Sequence, residues 1–175
     1  MGALRNRLRR TVVAAAVVAV LCARALAQGP SNIRDAYAEL PGVRLFYRDT
    51  GGNGTPVVFV HAATGSSLVW EHQLEAFTTA GYRVVAYDRR GFGRSAIDPA
   101  GPQPGTAAED LLGLVNHLGV DRFHLVGTAA GGGVLLYFAL SFPQPLRSLV
   151  LANAVGGVQD ADDLDYDASG RLKLS

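Results

Sequence analysis

The chain has 175 residues, 16 lysines and arginines against 15 aspartates and glutamates for a formal net charge of +1, and 49% hydrophobic residues. That length allows one domain with a real core, and the single cysteine excludes a disulfide within the chain and a thiolate metal site. No basic cluster longer than Arg89-Arg90 follows the N-terminal region, so there is no electrostatic footprint for nucleic acid.

Arg5, Arg7, Arg9 and Arg10 form a positive region, Thr11 to Leu21 an apolar run, and Ala25-Leu26-Ala27 a small-x-small cleavage signal. Residues 1–27 therefore read as a signal peptide removed before Gln28, and the protein is expected to be exported, periplasmic or extracellular. The apolar run is shorter than the roughly 20 residues of a membrane-spanning helix, so no stable membrane anchor is expected after cleavage. The Arg9-Arg10 pair leaves the twin-arginine route open. Cleavage would remove five of the 16 basic residues and none of the 15 acidic ones, leaving 11 against 15 and a net charge of about −4. Cys22 goes with the leader, and its neighbours do not make a lipoprotein cleavage site.

After a polar start at Gln28 to Asp35, the segments Ala36–Leu40 and Val43–Asp49 flank Pro41-Gly42. The second alternates Val43, Leu45 and Tyr47 against Arg44, Phe46 and Arg48, which predicts an antiparallel hairpin at a sheet edge. Asp49 to Pro56 is a loop by composition. Val57–Val60 is a continuous apolar run, the signature of a strand covered on both faces. A helix is predicted over Ser67–Ala80, closed by Gly81, then a strand over Arg83–Tyr87 and a helix over Thr106–Leu118. Phe123–Val126 reads as a buried strand, Val134–Phe142 as a helix and Leu146–Leu151 as a further strand. A hairpin followed by alternating strands and helices predicts an α/β fold with a mostly parallel, doubly covered sheet over residues 28–152. No internal repeat is evident.

Between the Phe123 strand and the helix after it lies Gly127-Thr128-Ala129-Ala130-Gly131. This is the frame of the nucleophile elbow, G-x-S-x-G, with alanine at the serine position. A residue strained between strand and helix needs neighbours two positions away that lack side chains, and Gly127 and Gly131 satisfy this around Ala129. Centring on Ala130 would put β-branched Thr128 at a flank. A dinucleotide fingerprint fails because Ala129 stands where its second glycine belongs and the next strand ends near Asn153, without an acidic residue. A P-loop fails because Gly132-Gly133-Val134 is not G-K-[ST].

On this frame the chain resembles the α/β-hydrolase fold family. Two more segments carry the likeness. His61-Ala62-Ala63-Thr64-Gly65, directly after the Val57–Val60 strand, is similar to the loop that supplies one oxyanion-hole donor, and implies Ala63 and Ala130 as the backbone donors. His61 is expected to lock this loop by hydrogen bonds. Asp88-Arg-Arg-Gly-Phe-Gly-Arg-Ser95 resembles the family's D-x-R-G-x-G-x-S segment, with Asp88 expected to accept backbone N–H groups beside the pocket. The likeness covers roughly Val43 to Ala152.

A complete member of the family would continue with a lid and two more strands, bearing the acid and the histidine of a catalytic triad. Residues 153–175 instead read as the start of a lid or an acidic tail, with five aspartates between Asp160 and Asp167 that lack the glycine and glutamate of an EF-hand. His61, His72, His117 and His124 all precede this segment. Thr128 carries a hydroxyl beside Ala129 but is expected to point away from the oxyanion donors. The resemblance implies a hydrolase acting on a small ester, amide or epoxide, and the residues imply a sheet lacking its last two strands, with no intact nucleophile, acid or base. The chain is expected to be inactive alone, with no cofactor and no metal. The alternatives are a small-molecule binding protein, with a partner chain supplying the missing strands and histidine, or a truncated gene product without independent function.

Overall fold

The sheet begins with a hairpin whose two arms turn at Pro41-Gly42. Strand β1 (Arg34–Leu40) pairs antiparallel with β2 (Val43–Asp49), from Arg34 opposite Asp49 to Leu40 opposite Val43. The computed structural model describes residues 33–98, 101 and 105–154. The leader read over 1–27 and the aspartate cluster between Asp160 and Asp167 lie outside the described residues. Phe46, expected on the polar face of β2, is buried: it packs edge-on to Tyr37 at 5.4 Å, and the Arg94 guanidinium covers its ring at 3.4 Å. A cation over an aromatic face shields that face from water as an apolar neighbour would.

Four strands run parallel: β3 (Pro56–Val60), β4 (Arg83–Tyr87), β6 (Phe123–Ala129) and β7 (Leu146–Ala154). The order is β1-β2-β4-β3-β6-β7, with β2 antiparallel to β4 and a short β5 (Ala96–Ile97) pairing with β2. β5 has no sequence signature, because two residues carry no periodicity. Helix α1 (Glu71–Thr79) is preceded by a 3-10 turn at Ser67–Trp70, so the single helix expected over 67–80 is two pieces. Helices α2 (Ala107–His117) and α3 (Ala130–Ser141) complete the described elements. None of these helices is long and apolar enough to cross a membrane.

Alternation along the strands divides the core. Val58, Val60, Val85, Tyr87 and Leu125 face Leu111, Leu114, Leu135 and Phe138 of α2 and α3. Val57, Phe59, Val84 and Ala86 face Trp70 and Leu74 on the α1 side. The loop between β2 and β3 is tied to β4: Asp49 accepts Arg83 Nε at 3.0 Å and Nη2 at 2.7 Å, while Thr50 Oγ1 accepts Val84 N–H at 2.8 Å. At the other end of the sheet, β7 stands at the edge among the described residues, with Val150 48% and Leu151 41% exposed.

Leu125 is fully buried between the sheet and the α2–α3 layer, and Thr106 caps α2 in an exposed reciprocal box with Glu109. Leu125→Ala is expected to cost about 2–5 kcal/mol and Thr106→Ala only about 1 kcal/mol, read as shifts of the urea unfolding midpoint.

Candidate active site at the strand-to-helix elbow

Strand β6 passes into α3 without a loop. Ala129, the last residue of the strand, has φ 47° and ψ −124°, outside the regions an L-residue occupies without strain. Helix α3 starts at Ala130, four residues before the start read from sequence, so Gly131, Gly132 and Gly133 are helical. Three consecutive glycines are poor helix formers, and tertiary packing overrides that preference here. A Cβ on Gly131 would lie 2.6 Å from the Val60 carbonyl oxygen and 2.8 Å from that of His61. The first turn of α3 is thus laid against the end of β3. A Cβ on Gly127 would meet Leu135 Cδ1 at 2.7 Å and the Gly131 carbonyl carbon at 3.2 Å. The collision expected across the turn is found for Gly127; for Gly131 the obstacle is the neighbouring strand.

The strand register brings the other loops to this end of the sheet. Val60 is paired with Gly127 on one side and with Tyr87 on the other, so the segments starting at His61, Thr128 and Asp88 leave three adjacent strands together. Ala130 opens α3, where the first N–H groups have no intrahelical acceptor and the helix dipole is positive. Ala63 lies inside the turn closed by Gly65 N–H donating to Ala62 O at 3.3 Å, a bond that leaves the Ala63 N–H unused. Thr128 belongs to the β6 register of His124 and Val126, and Val126 packs on the α1 side.

His61 is fully buried. Its Nε2 accepts the Arg89 backbone N–H at 3.0 Å, which leaves the proton on Nδ1 to be donated to Ala62 O at 2.6 Å. One neutral ring therefore ties the end of β3 to the end of β4. Burial holds the His61 pKa below its ordinary 6.5, with the hydrogen bond to Ala62 opposing, Arg89 adding to the fall, and Asp88 opposing it. Asp88 is also buried: Oδ1 accepts Ser67 N–H at 2.6 Å and Oδ2 accepts Arg94 N–H at 2.7 Å. Both carboxylate oxygens thus take backbone donors, which organise the 3-10 turn and the Gly91–Ser95 loop.

Two contributors escaped the sequence. Ser95 Oγ donates to Asp88 O at 2.6 Å and accepts Phe46 N–H at 2.9 Å, pinning the loop back onto β2. It closes the D-x-R-G-x-G-x-S segment, which was its only signal. Arg90 makes a two-pronged pair with Asp110 of α2, at 2.5 and 2.6 Å, and no local pattern links residues so far apart. Two of the three remaining histidines serve elsewhere: His117 stacks edge-on to Tyr47 at 6.0 Å, and His124, near the far end of β6, has Nδ1 2.7 Å from Ser148 Oγ. Among the described residues no three histidine, cysteine or acidic side chains cluster to hold a metal.

A family model described as alpha/beta hydrolase fold matches residues 55–174, more than half of the chain. The chain belongs to the α/β-hydrolase fold family. It is 40% identical over 116 residues to a bifunctional esterase/perhydrolase of Acinetobacter calcoaceticus, covering 65% of this chain and 42% of that protein. It is 39% identical over 127 residues to a non-heme chloroperoxidase of Kitasatospora aureofaciens, covering 72% and 46%. A crystal structure of an epoxide hydrolase from Vigna radiata superimposes with a TM-score of 0.60 at 29% identity, covering 68% of this chain and 39% of that one. This α/β-hydrolase-fold chain spans less than half the length of the curated relatives it matches.

Glycine is at ease at the dihedrals of Ala129, so Ala129→Gly is expected to raise stability by about 1 kcal/mol, strain relief outweighing the added freedom of the unfolded chain; urea unfolding reads the difference. Gly131→Ala should do the opposite. The unfolded chain takes up a proton on His61 near 6.5, whereas the folded chain does so only at lower pH. The unfolded state holds more protons in between, so the His61 contribution is complete above 6.5 and is lost as pH falls through that window. His61→Gln should flatten this part of the stability–pH curve, measured as the difference between the two proteins' urea midpoints from pH 7.5 to 5.

Proposed function

We propose that this chain is a hydrolase-type scaffold that holds a small ester, amide or epoxide at the elbow and does not hydrolyse it unaided. The observation that carries the reading is Ala129, which keeps the strained backbone of a nucleophile elbow while presenting only a methyl group. Covalent hydrolysis needs an activatable oxygen, sulfur or nitrogen at that point, with a base in reach. His61 has both ring nitrogens committed to backbone partners, and His124 lies at the other end of β6. What the site offers a bound carbonyl is the N–H groups of Ala63 and Ala130, a polarising environment that needs no side chain. The substrate class follows the printed functions of the relatives, an esterase/perhydrolase and an epoxide hydrolase. The leader in residues 1–27 supports an exported location.

The edge strand favours a second reading. Among the described residues β7 forms the edge, and it exposes Val150 and Leu151. An exposed apolar edge of this kind is a template for further strands, and a partner chain adding them in parallel would also be able to bring a histidine and an acid.

Purified protein is expected to give no turnover of chromogenic short-chain esters, and Ala129→Ser alone should restore none; robust turnover by the unmodified chain would overturn the main reading. Adding the C-terminal half of the esterase/perhydrolase relative to the Ala129→Ser variant tests the second. Ester hydrolysis appearing only in the mixture supports it, and failure of the two polypeptides to co-elute sinks it.

A further inference from the structure

Residues 87 to 90, at the carboxyl end of β4, gather hydrogen-bond donors with too few acceptors. Tyr87 Oη, Arg89 Nε, Arg89 Nη2 and Arg90 Nη1 are all buried and without a partner among the described residues. Arg89 as a whole is 9% exposed and Tyr87 is fully buried. The two are close enough that each shifts the other: burial pushes the Tyr87 hydroxyl upward, Asp110 adds to this and Arg89 opposes it, while burial pulls Arg89 downward against the influence of Tyr87. Asp110, which bears on Tyr87, already accepts two N–H groups from Arg90, and both oxygens of Asp88 accept backbone donors. The Arg89 guanidinium lies over the half-buried Phe92 ring, its carbon 4.5 Å from the ring centre.

A guanidinium cannot shed its proton to escape burial, so a cation drawn largely out of water gains from an anion beside it. A stacked ring offsets only part of that. A planar acceptor with two oxygens matches the fork of Arg89, and a nearby phenol O–H would supply a third donor to it.

We propose that Arg89 is the anchor of a binding niche for a small carboxylate, with Tyr87 as a further donor and Phe92 as its outer cover. The niche is independent of the chemistry at Ala129, because every group in it comes from β4 and the loop after it. It lies at the same end of the sheet as the elbow, since Tyr87 pairs with Val60 and Val60 with Gly127. A bound carboxylate would neutralise Arg89 at the point where the Arg89 backbone also holds His61, and so would stiffen the loop that carries Ala63.

Thermal melts of the full chain at constant ionic strength, with sodium propionate replacing sodium chloride, test this. Propionate is expected to raise Tm in a saturable way, and neutral propionamide is not. Arg89→Met should abolish the propionate response while leaving the ligand-free Tm unchanged or higher, because it removes an unpaired buried charge. Phe92→Ala should keep the response and shift it to lower propionate concentration. A propionate response that survives in Arg89→Met overturns the proposal, as does the absence of any response in the unmodified chain and in Phe92→Ala. The elbow is read separately with ethyl acetate, which is expected to raise Tm: no rise, with the propionate response intact, would count against the elbow alone.

Discussion

Helix α3 starts where it does because the backbone of Gly131 can lie against the carbonyls of Val60 and His61. That approach fixes the distance between β3 and the helix, and leaves the chain too little room to turn gradually after β6. The reversal must be completed in one residue, and Ala129 takes the strain of it. Leu135 then reaches back over Gly127, so the helix is held at its first turn by main chain and at its second by packing. The apolar layer of α2 and α3 is assembled around that fixed starting point.

The same end of the sheet is held by polar contacts of a different kind. Asp88, His61 and Ser95 each join two segments distant in sequence, and each does so through backbone partners. Such contacts depend on the shape of the loops and not on what the loops might bind. The scaffold of the site and its chemistry are therefore separable in this molecule: the loops are ordered by residues that would take no part in a reaction, and the alanine at the turn perturbs none of them.

Much of this was legible in the sequence because the signals were local. The continuous apolar runs marked β3, β4 and the start of β6, and the glycine frame around Ala129 marked the turn to within a residue. What was not legible depended on partners far along the chain. The sequence places the start of α3 four residues late, because glycine's poor intrinsic preference is visible in sequence and the carbonyls of β3 are not. Alternation puts Phe46 on the polar face, and its burial comes from Tyr37 and Arg94. The burial of Arg89 was equally hidden, because the Arg-Arg pair reads as a charged loop until the register of β4 sends one guanidinium to Asp110 and the other under Phe92.

The strain at Ala129 also bears on how such a chain can change over generations. Alanine and serine codons are separated by a single base, whereas the backbone that makes a serine useful at this point depends on a helix, two strands and the small residues between them. The improbable part of the arrangement is the backbone, and that part is in place. A lineage carrying this elbow lies one nucleotide from presenting a hydroxyl at the tip of the turn.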